Sequence, residues 1–480
     1  MEQFHTAVKN ALKRHNITTY KLSEISGIDR SLLVKITKGQ RSITPQKLDY
    51  LLKFMDLTAD EDEEIRLAYI DMNFGINKFN EYSDIFIYDN SGITSDNSDS
   101  NAIELSVNFT EPVTDFNSYN ELIRTLYAVT AYEAKNDGKK RIYTNLDASI
   151  TRDLFDSLPK NAGDIDIKQI ITADADSDYS KIIKSAVEFM IKGYKIYYSH
   201  VNSDISKRAD IVFPYYYVTD ELCVLTDASM TSGFVAKNKK FADTYAKKIS
   251  AAANEMKSIV ALTQNIMDVK STMLELIPYS DKTMTSMEFD LCVTFFMTLD
   301  MWEQIAKPDV PNRNYLRDTT YEYYQALRHS KKRLFMLHSY EGMEKFTRDG
   351  IVFQMPAEYA YPLTLENRAQ IYRNLIEYYK KDEHEIHISK KNVFKNKIAI
   401  DITDKYSDRK QVVSNLYGFL TNFVGNTIIS IDDTEINNEI IDFSRYMAVS
   451  PYFYSKEESL NILSQELSKL EYIIRDNQNK

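Results

Sequence analysis

The stretch that most constrains this chain runs from Ile17 to Arg41, ITTYKLSEISGIDRSLLVKITKGQR. It reads as two short helices around a tight turn at Ser26-Gly27-Ile28. Thr18 suits an N-cap, because its hydroxyl accepts a backbone N–H that the first helical turn leaves free. Leu22 and Ile25 fall three apart and are expected to face inward. Gly27 supplies the positive φ that a helix-ending turn needs, and Ile28 packs into the hinge. Asp29 caps the second helix, and Leu33 and Ile36 hold it on its neighbours. Arg30, Ser31, Leu32 and Lys35 are left on the outer face near that helix's N-terminus. Lys38, Gln40 and Arg41 follow a turn at Gly39. Flanking helices complete the unit: Glu2 to His15 with Phe4, Val8, Ala11 and Leu12 on one face, a helix opened by Pro45 after Thr44 that buries Leu48, Leu51, Leu52 and Met55, and Asp60 to Tyr69.

In this geometry the second helix enters a major groove. Arg30, Ser31, Leu32 and Lys35 are the positions that reach base edges. Lys38, Gln40 and Arg41 are placed to touch phosphate, as are Thr18 and Thr19 at the start of the first helix. Residues 2–70 resemble the lambda-repressor/Cro-type (XRE-like) helix-turn-helix family. The signature is Leu22, Gly27-Ile28, Leu33, Ile36, Gly39, Pro45, Leu48 and Leu57. The family often has Gln where this chain has Thr19, and an acidic residue where it has Thr37. The resemblance implies double-stranded DNA as partner and a homodimer on a two-fold site.

A helical bundle used for protein contact is the alternative, and charge distinguishes the two. Residues 1–58 hold ten Lys/Arg and five Asp/Glu, a net +5, while the whole chain is −11, which leaves −16 on residues 59–480. A basic head on an acidic body suits a phosphate-binding module. At 480 residues with 43% hydrophobic content, about three ordered domains are expected. Cys223 and Cys292 sit in apolar surroundings and read as small core residues in a reducing compartment. Lys9, Lys13 and Arg14 interrupt any signal-peptide pattern, and no apolar run reaches membrane-spanning length. A cytoplasmic protein without membrane contact is the expectation. The 34 tyrosines suit either a ligand pocket or a subunit interface as well as ordinary packing.

The expected fold class is multidomain, an all-α helix-turn-helix head followed by a mixed α/β body with a helical middle section. The expected segments are the head at 1–72, a linker with short strands at 73–116, an α/β domain at 117–240, a helical connector or dimerisation region at 241–340, and a second α/β domain at 341–480. Strands are expected at 84–88, 103–109, 141–145, 165–172, 194–199, 211–218, 221–225, 385–388, 398–402 and 427–432. Helices are expected at 119–135, 149–158, 180–192, 241–276, 284–306, 318–338, 364–380, 409–424, 436–447 and 456–475. Ser455 and Glu458 form a capping box at the start of the last helix.

Few motifs carry chemistry. Asp174, Asp176 and Asp178 alternate, but without the glycine and glutamate of a calcium loop. His384 and His387 would point to opposite strand faces. The paired α/β plan with His387 at a strand end invites comparison with phospholipase-D-like proteins. That chemistry requires His-x-Lys, and His387-Ile-Ser-Lys390 has the wrong spacing, so such a site would be inactive. Asn145, Asp147 and His200 follow strands, where α/β sheets present ligand groups. No catalytic constellation, metal site or cofactor motif is read. The expected function is a DNA-binding transcriptional regulator whose body senses a small-molecule or peptide effector, dimerises, or both. The alternatives are an enzyme with a DNA-targeting head and a protein-interaction platform.

Overall fold

The computed structural model describes residues 4–87, 109, 111–135, 140–156, 165–173, 179–180, 182–183, 195–200, 212–258, 261–263, 284–329, 333–353, 355, 359–381, 383–394, 398–406, 414–422, 427–431 and 433–479. The chain forms two compact units. One comprises Met1–Asn90, Thr263–Ile428 and Asp433–Lys480, the other Ser91–Leu262 with Ile429–Asp432. The fold class is the expected one, a helical head followed by an α/β body. The head falls in the same unit as the C-terminal α/β layer.

The head is built from α1 (Phe4–Arg14), α2 (Thr19–Ser26), α3 (Arg30–Thr37), α4 (Pro45–Leu52) and α5 (Ala59–Asn73). Its core holds Phe4, Val8, Leu12, Leu22, Leu33, Ile36, Leu48, Leu52, Met55 and Tyr69. Thr58 and Glu61 close a capping box on α5, and Glu61 also bonds the His15 ring at 2.8 Å. Residues 71–83, expected as a joint, and residues 84–87 of the strand expected at 84–88 instead contribute the end of α5 and a sixth helix, α6 (Ile76–Phe86); residue 88 lies outside the described residues. Gly75 at φ 90° separates the two helices. Phe79, Tyr82, Ser83 and Phe86 line the buried face of α6, a 3.6-residue stripe hidden among asparagines and charges.

The second unit carries β1 (Val113–Phe116), α7 (Tyr119–Lys135), β2 (Lys140–Thr144), α8 (Ala148–Asp156), β3 (Ile165–Ala173), β4 (Lys195–His200), β5 (Tyr215–Val218), β6 (Leu222–Thr226), β7 (Gly233–Lys237), α9 (Lys239–Glu255) and β8 (Lys257–Ser258). The sheet order is β1-β7-β6-β5-β2-β3-β4-β8. Strands β2, β3 and β4 run parallel, as expected of alternating strands and helices. The hairpin strands beside β2 are antiparallel.

The C-terminal layer contains β9 (Ala261–Thr263), β10 (Met284–Glu288), α10 (Leu299–Ile305), α11 (Arg313–His329), β11 (Leu334–His338), α12 (Tyr340–Asp349), α13 (Leu365–Tyr379), β12 (Glu385–Ile388), β13 (Ile398–Tyr406), β14 (Ser414–Asn422), β15 (Thr427–Ile431), α14 (Thr434–Ala448) and α15 (Lys456–Gln478). The order is β12-β11-β10-β13-β14-β15-β9. Strands β10, β11 and β12 are parallel, and β13 is antiparallel to both β10 and β14. The capping box at Ser455 and Glu458 opens α15 as expected.

Several expected helices are different here. The 284–306 stretch holds β10, a 3-10 turn at Thr294–Phe296 and only the short α10. Met284, Met287, Val293, Phe295 and Trp302 are all buried, so the apolar run carries no periodicity to separate strand from helix. Residues 318–338 end in β11, and 414–422 form β14 where a helix was expected at 409–424. Helix α9 ends at Glu255, and residues 264–276 of the helix expected at 241–276 lie outside the described residues. The middle section thus keeps α9, α10 and α11 but interleaves them with strands. Gly342 lies so close to the end of β10 that a Cβ there would stand 2.1 Å from the Phe289 carbonyl oxygen.

The C-terminal core also buries acids. Ser286 pairs with Asp401 across β10 and β13, and its hydroxyl donates to Glu288 Oε1 at 2.8 Å. Burial, and then the two charges on each other, push the Glu288 carboxyl above its usual range, and burial raises Asp401 as well. Asp290, Cys292, Tyr323, Tyr324 and Tyr379 surround the pair. The folded chain therefore keeps protons that the unfolded chain releases above about pH 4. Stability is expected to fall as pH rises from about 4 into the neutral range. Urea denaturation at stepped pH should show that decline, and Glu288→Gln, which has no proton to lose there, should flatten it.

Candidate nucleic-acid interface

The turn between α2 and α3 is made by side chains as well as by glycine. Thr18 accepts the Lys21 amide at 3.1 Å. Gly27, at φ 68°, ends α2 and donates its amide to the Ser23 carbonyl at 2.9 Å. The Ser23 hydroxyl donates to the Ile28 carbonyl at 2.6 Å, and the Ser26 hydroxyl donates to the Leu22 carbonyl at 2.6 Å. Ile25, expected to face inward, is 46% exposed. Ser26, four residues after Leu22, takes the inner face in its place.

Asp29 then starts α3. Its carboxylate accepts the amides of Ser31 at 2.8 Å and Leu32 at 3.1 Å, together with the Ser31 hydroxyl. These bonds, the Ser31 hydroxyl first, hold its carboxyl below the usual range. Leu33 and Ile36 are buried, and Arg30, Ser31 and Lys35 are exposed. Leu32 departs from its expected outward placement: it is half-buried and packs on the head core with Ile17 and Ile28. The outward face of α3 therefore comes down to Arg30, Ser31 and Lys35. Gly39, at φ 68°, packs over the His5 ring, and the Gln40 amide returns to the Lys35 carbonyl at 2.8 Å. This turn leaves Lys38, Gln40 and Arg41 exposed at the end of α3. Thr19 is half-buried and Thr18 exposed at the start of α2. An exposed run of cations beside a helix presented by its N-terminal half can meet phosphates and base edges together.

Helices α4, α5 and α6 anchor the head on another side. Val449, just past α14, is part of the head core. The Arg66 guanidinium bonds Asp62 at 2.6 Å, Asp49 at 2.5 Å and the Val449 carbonyl at 2.8 Å. Burial alone would lower the Arg66 pKa, and the two carboxylates more than offset it. Lys53 pairs with Glu457. Glu439 takes Lys78 and the Tyr82 hydroxyl, each at 2.6 Å. Phe74 lies 5.2 Å from the Tyr446 ring. All of these contacts come from α4, α5, α6 and their ends, none of which carries an expected reading residue.

Two features were missed in the sequence. Tyr20, 60% exposed, has its ring 5.7 Å from the Arg30 guanidinium carbon. An exposed aromatic beside a cap was its only signal. Arg66 looked like one more charge in an acidic helix, and nothing local marks it as a hub.

Of the expected ligand residues of the second unit, Asn145 serves the backbone. Both polar ends of the Asn145 amide are spent on backbone, donating to Pro214 O and accepting from Tyr216 N, each at 2.9 Å. It braces the entry to β5. The Asp147 carbonyl starts α8, accepting the Ile150 and Thr151 amides. His200 ends β4, and β3 separates it from β2 in the sheet. Residues 174–178 lie outside the described residues. His384 accepts the Leu334 amide at 3.2 Å and stacks on Tyr378, while His387 lies 3.0 Å from the Tyr454 carbonyl. Among the described residues no group of three acids, histidines or cysteines could hold a metal ion, and no helix is long and apolar enough to cross a membrane.

Neither a family model nor a curated protein matches the chain. Among solved structures, TrmBL2, an archaeal chromatin protein described as showing a novel mode of DNA binding, is similar at 11% identity, covering 51% of this chain and 88% of its own, with TM-score 0.23. Phosphatidylserine synthase from Haemophilus influenzae Rd KW20 is similar at 9% identity over 77% and 93%, with TM-score 0.24. Polyphosphate kinase from Porphyromonas gingivalis is similar at 10% identity over 69% and 49%, with TM-score 0.20. Scores this low establish neither a common fold nor a common activity.

Proposed function

We propose that this chain is a DNA-binding transcriptional regulator of the helix-turn-helix kind. The observation that carries the reading is the exposed array of Arg30, Ser31 and Lys35 on α3 with Lys38, Gln40 and Arg41 behind it, on a head anchored to the C-terminal layer through α4, α5 and α6 and not through α3. Thr18 and Thr19 at the start of α2 add phosphate contacts. The head works as half of a homodimer on a two-fold site, and the body senses a small-molecule or peptide effector, with no catalytic part. Such a protein acts in the cytoplasm, where its DNA is.

Helix α14 is the element through which the body would act. It packs on β14 and β10 and ends at Val449 inside the head core. A ligand that shifts this layer by differential binding would turn the head with it. Fluorescence anisotropy of the full chain with mixed-sequence duplex tests the first step. Affinity is expected to drop steeply between 50 and 200 mM salt, as counterion release by several phosphate contacts requires. No binding at low salt would overturn the reading.

A further inference from the structure

The N-terminal turn of α3 holds its two outermost groups in set hydrogen-bonding roles before any ligand arrives. Arg30 is exposed, yet its guanidinium carbon lies 5.7 Å from the Tyr20 ring centroid, a distance at which a cation is drawn to an aromatic face. The ring comes from the second residue of α2, so one helix of the motif braces the other. Ser31 is set differently. Its hydroxyl is bonded to the Asp29 carboxylate, which also takes the Ser31 and Leu32 amides. An ionised carboxylate only accepts, so the serine must donate. Its proton is committed, and only its lone pairs face outward.

We infer that Tyr20 positions Arg30 and Asp29 polarises Ser31, so that the head prefers a guanine next to a base carrying an exocyclic amine. Resting on the DNA-binding reading, the inference adds a sequence class to it. The guanidinium fork matches the O6 and N7 acceptors of guanine, and an acceptor-only hydroxyl matches the amine of adenine or cytosine and not the carbonyl of guanine or thymine. Tyr20 acts through Arg30 and is a positioning residue.

Selection of duplexes from a random library tests it, using the full-length chain, Tyr20→Ala, Tyr20→Phe and Ser31→Ala. The unaltered chain and Tyr20→Phe are expected to enrich guanine beside adenine or cytosine on one strand. Tyr20→Ala should lose about three- to five-fold of the guanine preference, with its salt dependence and thermal midpoint unchanged. Ser31→Ala should lose the amine preference alone. In the free protein, relaxation of the Arg30 Nε–H should show a side chain loosened by Tyr20→Ala and held by Tyr20→Phe. Binding with the same base preferences in Tyr20→Ala, or an unaltered motif without guanine, overturns this inference and leaves DNA binding standing. Failure to enrich any duplex overturns both.

Discussion

Arg66→Ala is expected to lower the stability of the head-containing unit by about 3 kcal/mol, the low end of the cost of removing one partner from a buried ion-pair network. The low end applies because 14% of the side chain is exposed. Three acceptors lose their donor together: Asp49 on α4, Asp62 on α5 and the carbonyl of Val449. Asp49 is itself 15% exposed, so water replaces the guanidinium incompletely, and the Val449 carbonyl is left at the edge of an apolar core. Urea denaturation should show a lower midpoint. Amide exchange should show the loss concentrated in α4, α5 and the end of α14. Arg66→Lys reaches one acceptor at a time and should recover only part of the loss. A change under 1 kcal/mol would mean that the head is held by Val449 and the aromatic contacts alone.

Arg30→Ala is expected to weaken binding to a selected duplex by about 2 kcal/mol, near 30-fold, with little effect on stability. The side chain is exposed and takes no part in the head core, so its removal touches the ligand and not the fold. Lys38→Ala, at the exposed C-terminal end of α3 where phosphate contact is expected, should weaken selected and mixed sequences alike and reduce the salt dependence. The contrast separates base reading from phosphate contact. If the two substitutions act identically on both kinds of duplex, Arg30 is a phosphate contact and the base-reading assignment is wrong.

The head was legible because its signals are local. A cap at Thr18 or Asp29, a left-handed glycine at position 27 and the three-apart pair Leu33 and Ile36 each depend only on near neighbours, and the fold keeps them. Ile25 was misplaced because a three-residue step from Leu22 falls short of a full turn, and Leu32 because, four residues before buried Ile36, it borders the inner face. The body was harder to read. In 284–306 burial on every side erased the alternation that distinguishes strand from helix. In α6 the apolar stripe, Phe79, Tyr82 and Phe86, finds its partner in Phe443, more than 350 residues away. Arg66 is the same case. Its two carboxylates lie within the head, but the carbonyl that makes it a junction is 383 positions downstream. Asn145 sat where sheets present ligand groups, and only the fold shows its amide already bonded to backbone.

Methylation of guanine N7 by dimethyl sulfate on a selected duplex tests the central claim most directly, because that atom lies in the major groove. With the full chain bound, the account expects protection of one or more guanine N7 atoms in each half-site, centred about one helical turn apart, and loss of that protection with Arg30→Ala under conditions where the variant still occupies the DNA. Bound DNA whose guanine N7 atoms all stay reactive, or protection that survives Arg30→Ala unchanged, would contradict it.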